Sequence, residues 1–130
     1  MISGIGTDIV YIPRMKSLLV KHGDKIAKRI LSDDEFTSFE DTANQAAFLA
    51  KRFAAKEAAS KALGTGFRDG LSLRHISVKN NSLGRPELSF QQRAKLLLEE
   101  LNIGKTFLSL SDEQDYAIAY VILMERTDVL

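Results

Sequence analysis

The chain of 130 residues contains no cysteine. That absence excludes a disulfide framework and thiolate metal ligation, so a bound metal has to be held by carboxylates, by the two histidines or by a substrate. Such a donor set suits a hard, oxygen-ligated cation such as Mg²⁺. Apolar runs approaching the roughly 18 to 20 residues of a membrane span are also missing. The first ten residues lack the basic n-region and apolar stretch of a secretory signal, so a cytoplasmic protein with no membrane partner is expected. Net charge is small, formally +1, which argues against a strongly basic nucleic-acid binder while leaving room for a local concentration of charge. The length predicts one domain over 1–130, large enough for a core and small enough for oligomerisation to help stability.

Charge is indeed concentrated. Between Arg14 and Arg29 stand Arg14, Lys16, Lys21, Lys25, Lys28 and Arg29, opposed by Asp24 alone. Leu18, Leu19, Ile26, Ile30 and Leu31 supply apolar anchors, which predicts one or two short helices, broken near Gly23, with lysines on the outer side. A face of this kind either solubilises a helix or receives an acidic partner. A nucleic-acid reader would interleave aromatics with the basic residues, and none lies in this span.

The stretch FAAKEAASKALGTG at 53–66 places Lys56, Glu57 and Lys61 among small apolar residues. It predicts the end of a long helix running from about 44 to 63, with Gly64 as its ordinary terminator. Glu57 and Lys61 are four apart and share a helix face, as suits a site that holds a metal and phosphates. On spacing alone the commoner reading is a plain surface pair worth about 0.3–0.5 kcal/mol. The glycine loop that follows is neither a Walker A motif nor a dinucleotide fingerprint, because those loops lead into a helix rather than out of one.

GIGTDIV at 4–10 alternates as a strand, with Ile5, Thr7 and Ile9 on one face and Gly4, Gly6, Asp8 and Val10 on the other. The glycines beside Asp8 leave room for a ligand or for close backbone approach. In SDDEF, Ser32 and Glu35 form the S-x-x-E capping box, which explains the acids through the start of a helix over roughly 32–41. A hairpin is expected from residues 73–79 and 86–88 around NNSLGRP, followed by a helix that starts on a Ser89/Gln92 box and ends at Gly104. Its stripe is Phe90, Ala94, Leu97, Leu98 and Leu101. Two strands at about 105–111 and 115–125 close the chain, the last apolar on both faces and so expected to be covered on both.

Taken together, GIGTDIV, FAAKEAASKALGTG, NSLGRPEL and LSLSDEQDYAIAYVI resemble, in order and spacing, the holo-acyl-carrier-protein synthases, which are small phosphopantetheinyl transferases. The resemblance covers nearly the whole chain. It implies an α+β 4'-phosphopantetheinyl transferase fold: a small, mainly antiparallel sheet packed with helices, one of them long and central, assembled as a homotrimer with active sites between subunits. It implies transfer of 4'-phosphopantetheine from coenzyme A to a serine of an acidic acyl carrier protein for fatty acid biosynthesis, leaving adenosine 3',5'-bisphosphate. Asp8 and Glu57 would hold Mg²⁺, while Lys61 would neutralise charge on the diphosphate, which makes Glu57 and Lys61 the catalytic pair. Either Glu57 or a metal-bound water would take the serine proton.

The same resemblance assigns Gly64, Thr65 and Gly66, with Lys61, Arg52, Arg85 and Pro86, to the coenzyme A pocket. Arg14, foremost, with Lys21, Lys25 and Lys28, would dock the carrier. One departure stands out: Asp112 occupies a position where many members have a histidine near the nucleotide. An aspartate cannot donate to a phosphate, so Arg52, Arg68 and Arg85 become the candidates for the 3'-phosphate. His22 and His75 receive no catalytic role. A different class of function, a non-catalytic module gripping an acidic protein or nucleic acid, would leave the pairing of Asp8 with Glu57 without a purpose.

Overall fold

The computed structural model describes residues 1–127. In chain order it comprises β1 (Ile2–Tyr11), α1 (Ile12–His22), α2 (Asp24–Ile30), α3 (Asp33–Glu40) and α4 (Gln45–Leu63). A 3-10 turn (Leu73–His75), β2 (Ile76–Asn80), β3 (Pro86–Phe90), α5 (Gln92–Glu100), β4 (Ile103–Glu113) and β5 (Tyr116–Glu125) follow. The architecture is α+β. β1, β5 and β4 form an antiparallel sheet in that order, and β2 pairs with β3 as a separate antiparallel hairpin.

α4 lies across the sheet and organises the rest. Asn44 caps its start by accepting the Ala47 amide at 3.1 Å, and Gly64, with φ of 80°, ends it in the left-handed conformation that glycine adopts freely. Its buried alanines at 54, 55, 58, 59 and 62 keep the helix surface low, so β1 comes close. A Cβ on Gly6 would fall on the carbonyl oxygen of Ala58, and one on Gly4 would fall on that of Ala62. Gly4 and Gly6, on the face of β1 that carries Asp8, therefore give the close backbone approach expected there, and the space they leave is taken by α4 rather than by a ligand.

The α1–α2 break sits at Gly23, with φ of 59°, and both helices bury one side through Ile12, Met15, Ala27 and Ile30. α3 opens on its capping box: the Ser32 amide donates to Glu35 Oε1 at 3.0 Å and Ser32 Oγ accepts the Glu35 amide. Several boundaries differ from the sequence reading. Residues 73–75 form the turn rather than strand, because the Ser72 amide donates to His75 Nδ1 at 3.1 Å and Ser72 Oγ accepts the Arg74 amide at 3.2 Å. Ser89 is not a helix cap either; it belongs to β3 and pairs with Ser77, α5 starts after Gln91 with no side-chain cap, and the helix ends at Glu100. Gly104 lies inside β4, where a Cβ would stand 2.9 Å from Arg126 Cα, so its smallness serves packing rather than termination.

β5 buries Ala117, Ala119, Val121 and Leu123, whose neighbours in the core include the alanines of α4. Its other face, with Tyr116, Ile118 and Tyr120, is exposed beside Ile5 and Ile9 of β1 and Phe107 of β4. Within this chain only one of the faces expected to be covered is covered. No helix among the described residues is long and apolar enough to cross a membrane.

Candidate active site

The close seam between β1 and α4 is what brings charged groups together. Asp8, whose alternation places it on the α4 side of β1, meets the last turn of the helix. Lys61 Nζ donates to Asp8 Oδ1 at 2.9 Å and to the Thr7 carbonyl at 3.0 Å. Glu57, one turn earlier, shares this corner. Burial raises its pKa above the ordinary glutamate value, the Asp8 charge raises it further, and Lys61 pulls the other way. Two carboxylates and an ammonium thus face one another across a strand and a helix, with the Asp8 side chain 17 % exposed and that of Lys61 53 % exposed. The lysine is free enough to exchange its partner; the aspartate is held.

A cleft of about 650 Å³ opens from this corner. Asp8 and Glu57 lie at it, Met15, Leu18, Ile26 and Phe53 give it apolar walls, and Arg14 and Arg29 bring positive charge to it. Arg29, part of the basic run but not singled out in the sequence, is thereby placed with Arg14; its only sequence signal was membership of that run. Lys21, Lys25 and Lys28 are exposed on α1 and α2. Lys28 turns toward α3, with its ammonium 5.2 Å from the centre of the Phe36 ring.

No group of three or more His, Asp or Glu side chains able to hold a metal occurs among the described residues. Asp8 and Glu57 nonetheless fit Mg²⁺, which usually takes one or two protein carboxylates and completes its octahedron with phosphate oxygens and water. Burial is the larger cause of the raised Glu57 value and the Asp8 charge the smaller; a divalent cation bound by the two carboxylates would relieve their repulsion.

The glycine loop follows Lys61 directly. The Gly64 amide donates to the Lys61 carbonyl at 3.0 Å, and Thr65 Oγ1 donates to the Gly66 carbonyl at 3.0 Å. Arg85 and Pro86 line a second cleft of about 470 Å³ with Phe107, apart from Asp8 and Glu57. Arg52 is taken up inside the chain. Its Nε lies 3.3 Å from Glu35 Oε2 and its guanidinium stacks 4.4 Å from the Phe48 ring centre, so burial holds its pKa down despite Glu35. Asp112 pairs with Lys51 at 3.7 Å, His22 is exposed, and His75 serves the turn described above.

The family model of the 4'-phosphopantetheinyl transferase superfamily matches residues 4–121. Holo-(acyl-carrier-protein) synthase of Halorhodospira halophila is 51% identical over 124 residues, which is 95% of this chain and 98% of the relative. Among solved structures, holo-(acyl-carrier-protein) synthase of Neisseria meningitidis superposes with a TM-score of 0.91 at 43% identity, covering 96% of this chain and 100% of that one. The enzyme of Bacillus anthracis, solved in complex with CoA (3',5'-ADP), gives a TM-score of 0.80 at 35% identity over 96% of this chain and 98% of that one.

Proposed function

The chain belongs to the 4'-phosphopantetheinyl transferase superfamily, and from that premise we propose that it is a holo-acyl-carrier-protein synthase, moving 4'-phosphopantetheine from coenzyme A to a serine of an apo-acyl carrier protein. The other product is adenosine 3',5'-bisphosphate. The observation that carries this reading is the corner of Asp8, Glu57 and Lys61 at the head of a cleft flanked by Arg14 and Arg29. Phosphoryl-type transfer asks of a protein positioning and charge stabilisation more than covalent chemistry, and this corner offers both.

Asp8 and Glu57 would hold Mg²⁺, which when bound would supply charge neutralisation on the diphosphate. Lys61 leaves Asp8 for the phosphate oxygens as substrate enters, a move its exposure permits. There it stabilises negative charge that develops in the transition state. The serine proton would pass to Glu57 or to a water held by the metal. Gly64, Thr65 and Gly66 follow Lys61 closely enough to contact the same diphosphate. Arg14, with Lys21, Lys25 and Lys28, draws in the acidic carrier.

The exposed apolar face of β1, β5 and β4 supports a homotrimer, since a contiguous patch of this kind on a small chain marks an interaction surface. Phe107 belongs both to that face and to the cleft of Arg85 and Pro86. The nucleotide of coenzyme A would then sit between subunits, with Arg85 and Arg68 toward its 3'-phosphate and Arg52 committed to Glu35. Chromatography of a mixture of coenzyme A, Mg²⁺ and apo-carrier tests the reading. Adenosine 3',5'-bisphosphate is expected to appear in step with loss of apo-carrier; coenzyme A left intact with several acidic carriers would refute it.

A further inference from the structure

Lys56 precedes Glu57 in α4 but turns into the interior, and its side chain is completely buried. An ammonium has three protons to donate. Each finds an acceptor: Glu35 Oε1 at 2.6 Å, the Ile30 carbonyl at 2.6 Å and the Leu73 carbonyl at 3.1 Å. Ile30 is the last residue of α2, where carbonyls lack partners within the helix, and Leu73 opens the 3-10 turn. Both residues wall the cleft that holds Asp8 and Glu57. Glu35 enlarges the set, because its Oε2 accepts the Val78 amide at 2.9 Å and its Oε1 also accepts the Ser32 amide at 3.0 Å. The ends of α2 and α3, the turn, β2 and α4 therefore meet on one pair of side chains.

Stability alone is a poor reason for this arrangement. Desolvation pushes the Lys56 pKa down, with Glu35 opposing it only in part. A well-packed apolar residue of similar size often holds a core as well as a buried ion pair does. What methionine cannot supply is directional attachment of the carbonyls of Ile30 and Leu73, two residues that line the cleft. Resting on the transfer reaction proposed above, we propose that Lys56, oriented by Glu35, is a positioning residue: it ties the end of α2 and the 3-10 turn to the helix that carries Glu57 and Lys61. It thereby sets the distance between the docking helices and the reacting groups. It touches neither substrate nor metal.

Lys56→Met keeps the length of the side chain and removes its bonds to both walls. In the folded variant, kcat/KM for the carrier is expected to fall by about 10²-fold, the scale of a misplacement remote from the chemistry. KM for coenzyme A is expected to stay within about twofold, because uniform binding of the donor is untouched. Amide hydrogen exchange needs no activity. It is expected to quicken by about tenfold or more at 28–31 and 71–75 while β1, β4 and β5 keep their wild-type rates. Wild-type protein inactive with every carrier would refute the transfer reaction, whereas the exchange pattern would still support the clamp. A folded Lys56→Met with wild-type carrier kinetics and wild-type exchange in both segments overturns it. Should Lys56→Met fail to fold, Glu35→Gln is read by the same measurements: losses in the same direction support the clamp, and unchanged kinetics with unchanged exchange overturn it.

Discussion

Glu57 is costly to keep ionised. Burial and Asp8 raise its pKa above the ordinary 4.5, so the folded chain binds that proton more tightly than the unfolded chain does. The stabilisation from protonated Glu57 is complete below the unfolded value and is lost as pH rises through the higher folded one. At pH 7 without Mg²⁺, Glu57→Gln is therefore expected to melt at a higher temperature than the wild type, with the gap closing as pH falls toward the ordinary glutamate value. Added Mg²⁺ is expected to raise the wild-type melting temperature and leave the variant unmoved. Glu57→Gln and Asp8→Asn are both expected to lose most transfer activity, so stability and function move in opposite directions at Glu57, as at many sites built of like charges. A Glu57→Gln variant that melted lower at pH 7 would contradict this electrostatic account. Lys61→Ala tests the neighbouring role: turnover is expected to drop by about 10²–10³-fold, the scale for one preorganised charge-stabilising donor. A change under about threefold would return Lys61 to the class of surface pairs.

At the scale of elements, the seam between β1 and α4 decides whether the corner forms at all. Gly6→Ala would drive a Cβ into the carbonyl of Ala58, a backbone atom that cannot step aside without moving the helix. It is expected to destabilise the fold by about 1–3 kcal/mol or more, as overpacking does; an unchanged denaturation midpoint would show that β1 is not held this tightly. The strand, the central helix and their alternation were legible in GIGTDIV and FAAKEAASKALGTG because period and capping are local properties. Close backbone approach at the glycines was legible as well, but its partner was not, since the atoms they make room for lie more than fifty residues away in sequence. Ser89 and Gln92 misled for the opposite reason: a capping-box spacing is local, yet pairing with Ser77 in the hairpin outweighed it. Glu35 read correctly as a cap while its bond to Lys56, across 21 residues, left no trace in either local pattern. Lys56 itself was visible only as a charge out of place among alanines.

At the scale of the whole molecule, the outer face of the three-stranded sheet leaves Ile5, Ile9, Phe107, Tyr116, Ile118 and Tyr120 exposed. Ile118, 43% exposed at its centre, is the residue to challenge. If the proposed homotrimer forms through this face, Ile118→Asp is expected to yield a folded monomer in sedimentation analysis and to lose transfer activity, because the proposed joining of the Arg85 and Pro86 cleft to a neighbouring subunit's Asp8 and Glu57 would be lost. A variant that sediments like the wild type would remove this face from the assembly. The central claim, that the corner of Asp8, Glu57 and Lys61 promotes transfer of 4'-phosphopantetheine from coenzyme A to a carrier serine, is tested most directly on the product. Intact mass measurement of an acidic apo-carrier after incubation with the protein, coenzyme A and Mg²⁺ is expected to show about 340 Da added at its serine, the mass of the transferred group, with none added by Asp8→Asn. Folded wild-type protein that adds no such mass to any of several carriers, or an Asp8→Asn variant that adds it at the wild-type rate, would contradict the account.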